Sequence, residues 1–146
     1  MSGRSFIDTN VLLYADAVDE APKQSAALAL IAAHLRAGTG VVSTQVLHEY
    51  AAGALKKLSL PDALVRERID LFARFDIVAA SVDSLREALA LRALHRLSFW
   101  DALIVQAARD GGCTELLSED LATGAVIAGV RIVNPFESGV APRRRR

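Results

Sequence analysis

The chain has 146 residues, 52% of them apolar, which suits one domain with a full core. Its one cysteine, Cys113, excludes an internal disulfide and a cysteine-built zinc site and reads as a small buried apolar residue. The formal net charge is zero, yet Arg143, Arg144, Arg145 and Arg146 supply four of the 17 basic residues; the remaining 13 face 17 acids, so the body is acidic by four charges and offers no bulk basic surface to a polyanion.

No apolar run reaches the roughly 18 residues of a membrane-spanning helix. Residues 1–7 lack the apolar stretch of a signal peptide. A cytoplasmic protein with no membrane contact is therefore expected, in keeping with the single thiol.

In chain order, Ser5-Phe6-Ile7 reads as a short buried strand ending at Asp8, and Asn10 to Ala15 reads as helix. Pro22 suits the first turn of a helix that runs to Gly38, a residue fitted to the position just past a helix end. Val41-Val42-Ser43 is a second strand. Thr44 is placed to cap a helix to about Leu58, which Gly53 weakens. Pro61 opens a helix to about Phe75, and Ile77-Val78-Ala79 is a third strand. Ser81 to Leu94 is helical, and Ser98 caps a helix from Phe99 to Asp110 that Gly111-Gly112 ends. Glu115-Leu116-Leu117 and Arg131-Ile132-Val133 are the last two strands. Short strands alternate with helices and are apolar on both faces, the pattern of an α/β fold with a parallel sheet covered on both sides. In such sheets ligands bind at the carboxyl ends of the strands.

Four acids fall at or near those ends or at helix starts: Asp8, Glu49, Asp101 and Asp120. Each has a plainer explanation. Asp8 follows a strand and could be a helix N-cap; Thr9 and Asn10 beside it add a hydroxyl and an amide that could orient it or a bound water. Glu49 could be a solvated helical glutamate, but Gln45 and Gly53 stand one turn to either side of it, and a small residue leaves room for something to approach. Asp101 lies three residues after Ser98, the spacing of a capping box. Asp120 could close an Asx-turn; Glu119 is an alternative ligand from the same loop, and Ser118 could hold a water or a neighbouring carboxylate.

Other acids fit solvent roles, among them Asp16 in an acidic loop and Glu87 on a helix face. His34, His48 and His95 are not at ligand spacing. Phe99 and Trp100 read as core. No G-x-S-x-G, P-loop or G-x-G-x-x-G occurs. Aspartyl phosphotransfer is disfavoured, because Asn10 stands where such a phosphatase needs a second acid.

Four carboxylates brought together repel, and some would protonate without compensation. Oxygen-only ligands favour Mg²⁺ or Mn²⁺ over zinc or copper. Such an ion can activate a water toward a phosphodiester, and two ions about 3.5–4 Å apart would stabilise both the attacking and the leaving oxygen.

Residues 6–12 (Phe6-Ile7-Asp8-Thr9-Asn10-Val11-Leu12), 43–49, 98–104 and 117–121 together resemble, in order, the four motifs of PIN-domain ribonucleases, most of all the VapC-type toxins of bacterial toxin–antitoxin pairs. The resemblance runs from residue 5 to about 136, and Val130 to Phe136 is similar to the family's usual final strand. It implies a single PIN-like domain over 1–137 with a Rossmann-like three-layer α/β/α sandwich around a central parallel sheet. Residues 138–146 are left as a basic, disordered C-terminal tail, with no role assigned to Arg143–Arg146. It also implies Mg²⁺- or Mn²⁺-dependent endonuclease cleavage of RNA to a 5′-phosphate and a 3′-hydroxyl. Asp8, Glu49, Asp101 and Asp120 would be the metal-binding acids, with Thr9 and Ser118 as helper hydroxyls. Implied partners are a cognate antitoxin, a second copy of the chain, and operator DNA reached only through the antitoxin. The alternative is a PIN-like domain that binds RNA or protein without cleaving.

Overall fold

The structure, a computed structural model, describes residues 3–137; the arginine run at the C-terminus lies outside them. Strand β1 (Arg4–Ile7) leads into helix α1 (Thr9–Tyr14), then α2 (Ala21–Ala37), β2 (Gly40–Ser43), α3 (Thr44–Lys56) and α4 (Asp62–Phe72). Strand β3 (Asp76–Val78), α5 (Val82–His95), α6 (Phe99–Asp110), β4 (Cys113–Leu117), β5 (Val126–Ile127) and β6 (Val130–Val133) follow. Helix ends obey local chemistry. Pro22 sits in the first turn of α2, and Gly38 ends it in the left-handed region at φ 70°. The cap of α3 is Ser43 rather than Thr44: its side chain accepts from the Val46 N–H, because the helix begins one residue earlier than expected.

The six strands form one sheet in the order β3-β2-β1-β4-β6-β5. All neighbours run parallel except β5, which pairs antiparallel with β6 through Val126↔Arg131 and Ile127↔Val130. The expected central parallel sheet is present, and β5 adds a short antiparallel strand at its edge. Ala128 and Gly129, both at positive φ (53° and 85°), make a two-residue turn. A strand of two residues leaves no hydrophobic run to read in the sequence. The expected both-faces burial also fails at β3, where Asp76 and Ile77 are exposed because the strand lies at the other edge.

The core is built from Phe6, Ile7, Val41, Val42, Leu116 and Ile132 on the strands, all fully buried, with Val11, Leu12, Val46, Tyr50, Phe72 and Val105 from the helices. Helix α6 lies across β2, β4 and β6 and carries α5; α1 to α4 pack against one another, α2 and α3 resting on β2. The result is a three-layer α/β/α sandwich around a mostly parallel sheet. No helix among the described residues is long and apolar enough to cross a membrane.

Chain order reverses between β1 and β4: the strands first step from β1 outward to β2 and β3, then resume on the other side of β1. Loops leaving the carboxyl ends of β1 and β4 therefore part to opposite sides, and the crevice between them is where this class of sheet binds ligands.

Candidate active site

Register brings Asp8 and Ser118 together across that crevice. Ile7 pairs with Leu117, and the ladder continues one step, the Asp8 N–H donating to the Leu117 carbonyl at 3.0 Å and the Ser118 N–H to the Val133 carbonyl at 3.0 Å. The Asp8 side chain is 8% exposed. Its Oδ1 accepts from the Thr9 N–H at 2.7 Å, which caps α1, and its Oδ2 accepts from the buried Ser118 hydroxyl at 2.8 Å. Capping thus uses one oxygen, and the other faces the β4 loop. Burial pushes the Asp8 carboxyl up to about 6, and the negative charges of Glu49 and Asp120 add to it, while the bonds from Ser118 and Thr9 pull the other way.

Glu49 and Asp120 are both exposed and both act on Asp8. The Thr9 hydroxyl donates to Glu49 Oε1 at 2.6 Å, and Gln45, one turn earlier on α3, donates to Oε2 at 3.0 Å. Asn10 Nδ2 donates to Asp120 Oδ2 at 3.0 Å, and Asn10 Oδ1 accepts from the Glu119 N–H at 3.2 Å. Ser118 Oγ also accepts from the Asp120 N–H at 3.2 Å, the bond that shapes the loop. The neutral residues Thr9, Asn10, Gln45 and Ser118 therefore splay and hold three carboxylates around one mouth.

Asp101 is not among the charges acting on Asp8. Its N–H donates to Ser98 Oγ at 3.1 Å, so Ser98 caps α6 as expected. The reciprocal half of a capping box is missing: among the described residues, the half-buried Asp101 carboxylate has no hydrogen-bond or ion-pair partner. Structure alone thus accounts for its backbone and not for its charge.

Glu119 does not join the acids. Its carboxylate accepts from Lys23 Nζ at 2.6 Å and from the Tyr14 hydroxyl at 2.7 Å. Tyr14 in turn meets Phe136 edge-on, with ring centroids 4.9 Å apart. Lys23 carries no sequence motif, and its use here follows from the approach of α2 to the β4 loop.

Three other readings are overturned. Gly53 does not leave room for a ligand; the space belongs to Leu13 of α1, whose methyl groups would lie 3.1 Å from an added Cβ. Asp16 is not a solvated loop acid. Arg68 grips both of its oxygens at 2.9–3.1 Å and the Tyr50 hydroxyl donates to it at 2.9 Å, tying α4 and α3 to the turn after α1. Trp100 is not core but 60% exposed, because the face of α6 that meets the sheet carries Ile104, Val105 and Ala108 instead. Cys113 is buried, as expected.

As the side chains stand, no three acid, histidine or cysteine side chains among the described residues are gathered closely enough to hold a metal ion. The chemistry nevertheless fits a hard cation. The donors are all oxygens, Asp8 is buried beside two like charges, and among the described residues no lysine or arginine pairs with Asp8, Glu49, Asp101 or Asp120. Glu49 and Asp120 are exposed, and the hydrogen bonds their carboxylates accept come from the neutral side chains of Thr9, Gln45 and Asn10.

The fold has known relatives. The chain superposes on a protein of a toxin–antitoxin complex from Klebsiella pneumoniae with a TM-score of 0.64, at 24% identity, over 90% of this chain and 97% of the other. It superposes on Mycobacterium tuberculosis VapC20, described as a Sarcin-Ricin loop cleaving toxin, with a TM-score of 0.67, at 21% identity, over 87% and 98%. No curated protein sequence matches it. The family model of the PIN domain matches residues 5–124. With that match spanning most of the described chain, and with acids from β1, α3 and the β4 loop meeting at the sheet's crevice, the protein belongs to the PIN domain family.

Proposed function

We propose that the chain is a divalent-metal-dependent endoribonuclease and the toxin of a toxin–antitoxin pair. The observation that carries this reading is Asp8: a buried carboxylate at the switch point, flanked by Glu49 and Asp120, with no lysine or arginine paired to it among the described residues. Family membership and the likeness in fold to a protein of a toxin–antitoxin complex and to a toxin described as Sarcin-Ricin loop cleaving support it.

Asp8, Glu49 and Asp120 would hold Mg²⁺ or Mn²⁺, with the unpartnered Asp101 carboxylate completing the acid set from the start of α6. When bound, the cation supplies charge neutralisation at a phosphodiester and lowers the pKa of a water so that it can attack the phosphorus. The rest belongs to the chain. Ser118 and the Thr9 N–H keep Asp8 oriented and favour its charged form. Thr9 and Gln45 aim Glu49, and Asn10 aims Asp120 while bridging to the β4 loop. The Lys23–Glu119–Tyr14 cluster holds that loop against α1 and α2. A cognate antitoxin would restrain the enzyme in the cytoplasm, the toxin would act as a homodimer, and operator DNA would be reached through the antitoxin.

The test is cleavage of structured RNA by purified protein with Mn²⁺, beside Asp8→Asn and a chelator control. Metal-dependent cutting that Asp8→Asn abolishes supports the reading. Tight RNA binding with no cutting at any metal concentration would replace it with a non-cleaving binding domain. Expression of the chain alone should arrest growth, and co-expression of its antitoxin should relieve the arrest.

A further inference from the structure

Beside the acids lies a cavity of about 560 Å³ to which nothing in the proposed chemistry gives a task. It opens between the start of α3, the end of β3 and the helices α5 and α6, and Gln45 and Glu49 line it as well as belonging to the acid site. Its walls are largely apolar, with Val78, Leu103 and Ala107 among them. Trp100 stands in its lining, 60% exposed, with the ring of Phe99 packed edge-on against it at 5.0 Å between centroids. His48, exposed, lines the same space with no hydrogen bond among the described residues.

We propose that this cavity is a nucleobase subsite, in which an unpaired base of the RNA next to the scissile phosphate stacks on the Trp100 indole and turns its polar edge to His48. The proposal rests on the nuclease reading for the position of the phosphate, and on three observations for the occupant. The first is continuity. A phosphodiester set at Asp8 and Glu49 leaves the attached nucleoside at the Gln45–Glu49 mouth of the cavity, since those residues line both spaces. The second is charge. Asp110, outside the acid site, lines the cavity, and its carboxylate would repel a sugar–phosphate backbone, whereas a neutral base meets no such penalty. The third is the aromatic. Single-stranded bases are bound by stacking on exposed aromatic rings, with hydrogen bonds to their edges adding selectivity. An indole already braced by Phe99 loses little freedom on binding. A duplex cannot offer a base in this way, so the subsite selects RNA whose base is unpaired at the cut, such as a loop or bulge.

Trp100 is the chain's sole tryptophan, so its fluorescence reports the subsite directly. The experiment titrates Asp8→Asn protein, which keeps RNA intact, with hexamers of uridylate, adenylate, cytidylate and guanylate. An abasic hexamer and a base-paired duplex serve as controls, and the affinity of labelled hexamers is read separately by anisotropy. At least one base-bearing single strand should quench the emission, and the abasic strand and duplex should not. Trp100→Ala should weaken that hexamer about tenfold, with Trp100→Phe restoring most of the loss. Because Trp100 is exposed, both variants should keep the parent's circular dichroism spectrum. Equal quenching by the abasic strand, or unchanged affinity in Trp100→Ala, would overturn the proposal. Quenching by a basic amphipathic peptide but by no RNA would assign the cavity to a protein partner and overturn it as well. Neither readout needs cleavage. Base-dependent quenching in a protein that cuts no RNA would refute the nuclease reading alone, and cutting without it would refute the subsite alone.

Discussion

Replacing Asp8 by asparagine should remove activity and relieve the fold at neutral pH. The Asp8 carboxyl titrates at about 6 against an ordinary 3.8, chiefly because it is buried. The folded chain therefore holds its proton more tightly than the unfolded one. The associated stabilisation is fully present below pH 3.8, is lost as pH rises through 6, and stays lost above it. A displacement of that size corresponds to about 3 kcal/mol at neutral pH, of which about 2–3 kcal/mol falls between pH 4 and pH 8. Asparagine is nearly isosteric and cannot ionise, so the Asp8→Asn variant lacks this pH dependence. Urea denaturation of both proteins in chelator, at several values between pH 4 and pH 8, measures it. The stability difference should move by about 2 kcal/mol or more in favour of the variant as pH rises. Any constant offset from exchanging the Ser118 and Thr9 bonds leaves that slope untouched. Mn²⁺ should then raise the melting temperature of the wild type at pH 7.5 and not that of the variant, because only the former gains from binding a cation. A difference that is flat with pH would refute the reasoning, since it would mean Asp8 is no more strained ionised than neutral.

Asp101→Asn should abolish cleavage while changing stability by less than about 0.5 kcal/mol, because the carboxylate makes no bond to any described residue and Ser98 keeps the cap; a large fall in melting temperature would mark it as structural. Arg68→Ala should cost about 2–4 kcal/mol in chemical denaturation, since it strands the Asp16 carboxylate, 9% exposed, with only the Tyr50 hydroxyl. Gly40→Ala should destabilise by about 1–3 kcal/mol, because the new Cβ would fall 2.5 Å from the ring of the buried Phe75.

Most of the architecture and the outline of the site were legible in the amino-acid order because they are local. Buried strands such as Phe6-Ile7 and Val41-Val42 announce themselves by apolar runs, and α2, α5 and α6 by Pro22, Ser81, Ser98 and Gly38 at their ends. Acids set just past such strands point to the crevice of a wound sheet before any coordinate is known. What stayed hidden is whatever depends on a neighbour distant in the chain. Ser118 reaching Asp8 across 110 residues, Lys23 drawing Glu119 away from the other acids, and Arg68 burying Asp16 all follow from the register of β1 on β4 and the packing of α4 and α2. Trp100 was misjudged for a related reason. Composition says that an indole prefers the interior, but the rotation of α6 on the sheet decides which residues are allowed there, and it gave the buried face to Ile104, Val105 and Ala108. The chain alone names the chemical groups and the edge of the sheet where they gather; packing sets which of them face one another and which are spent on structure.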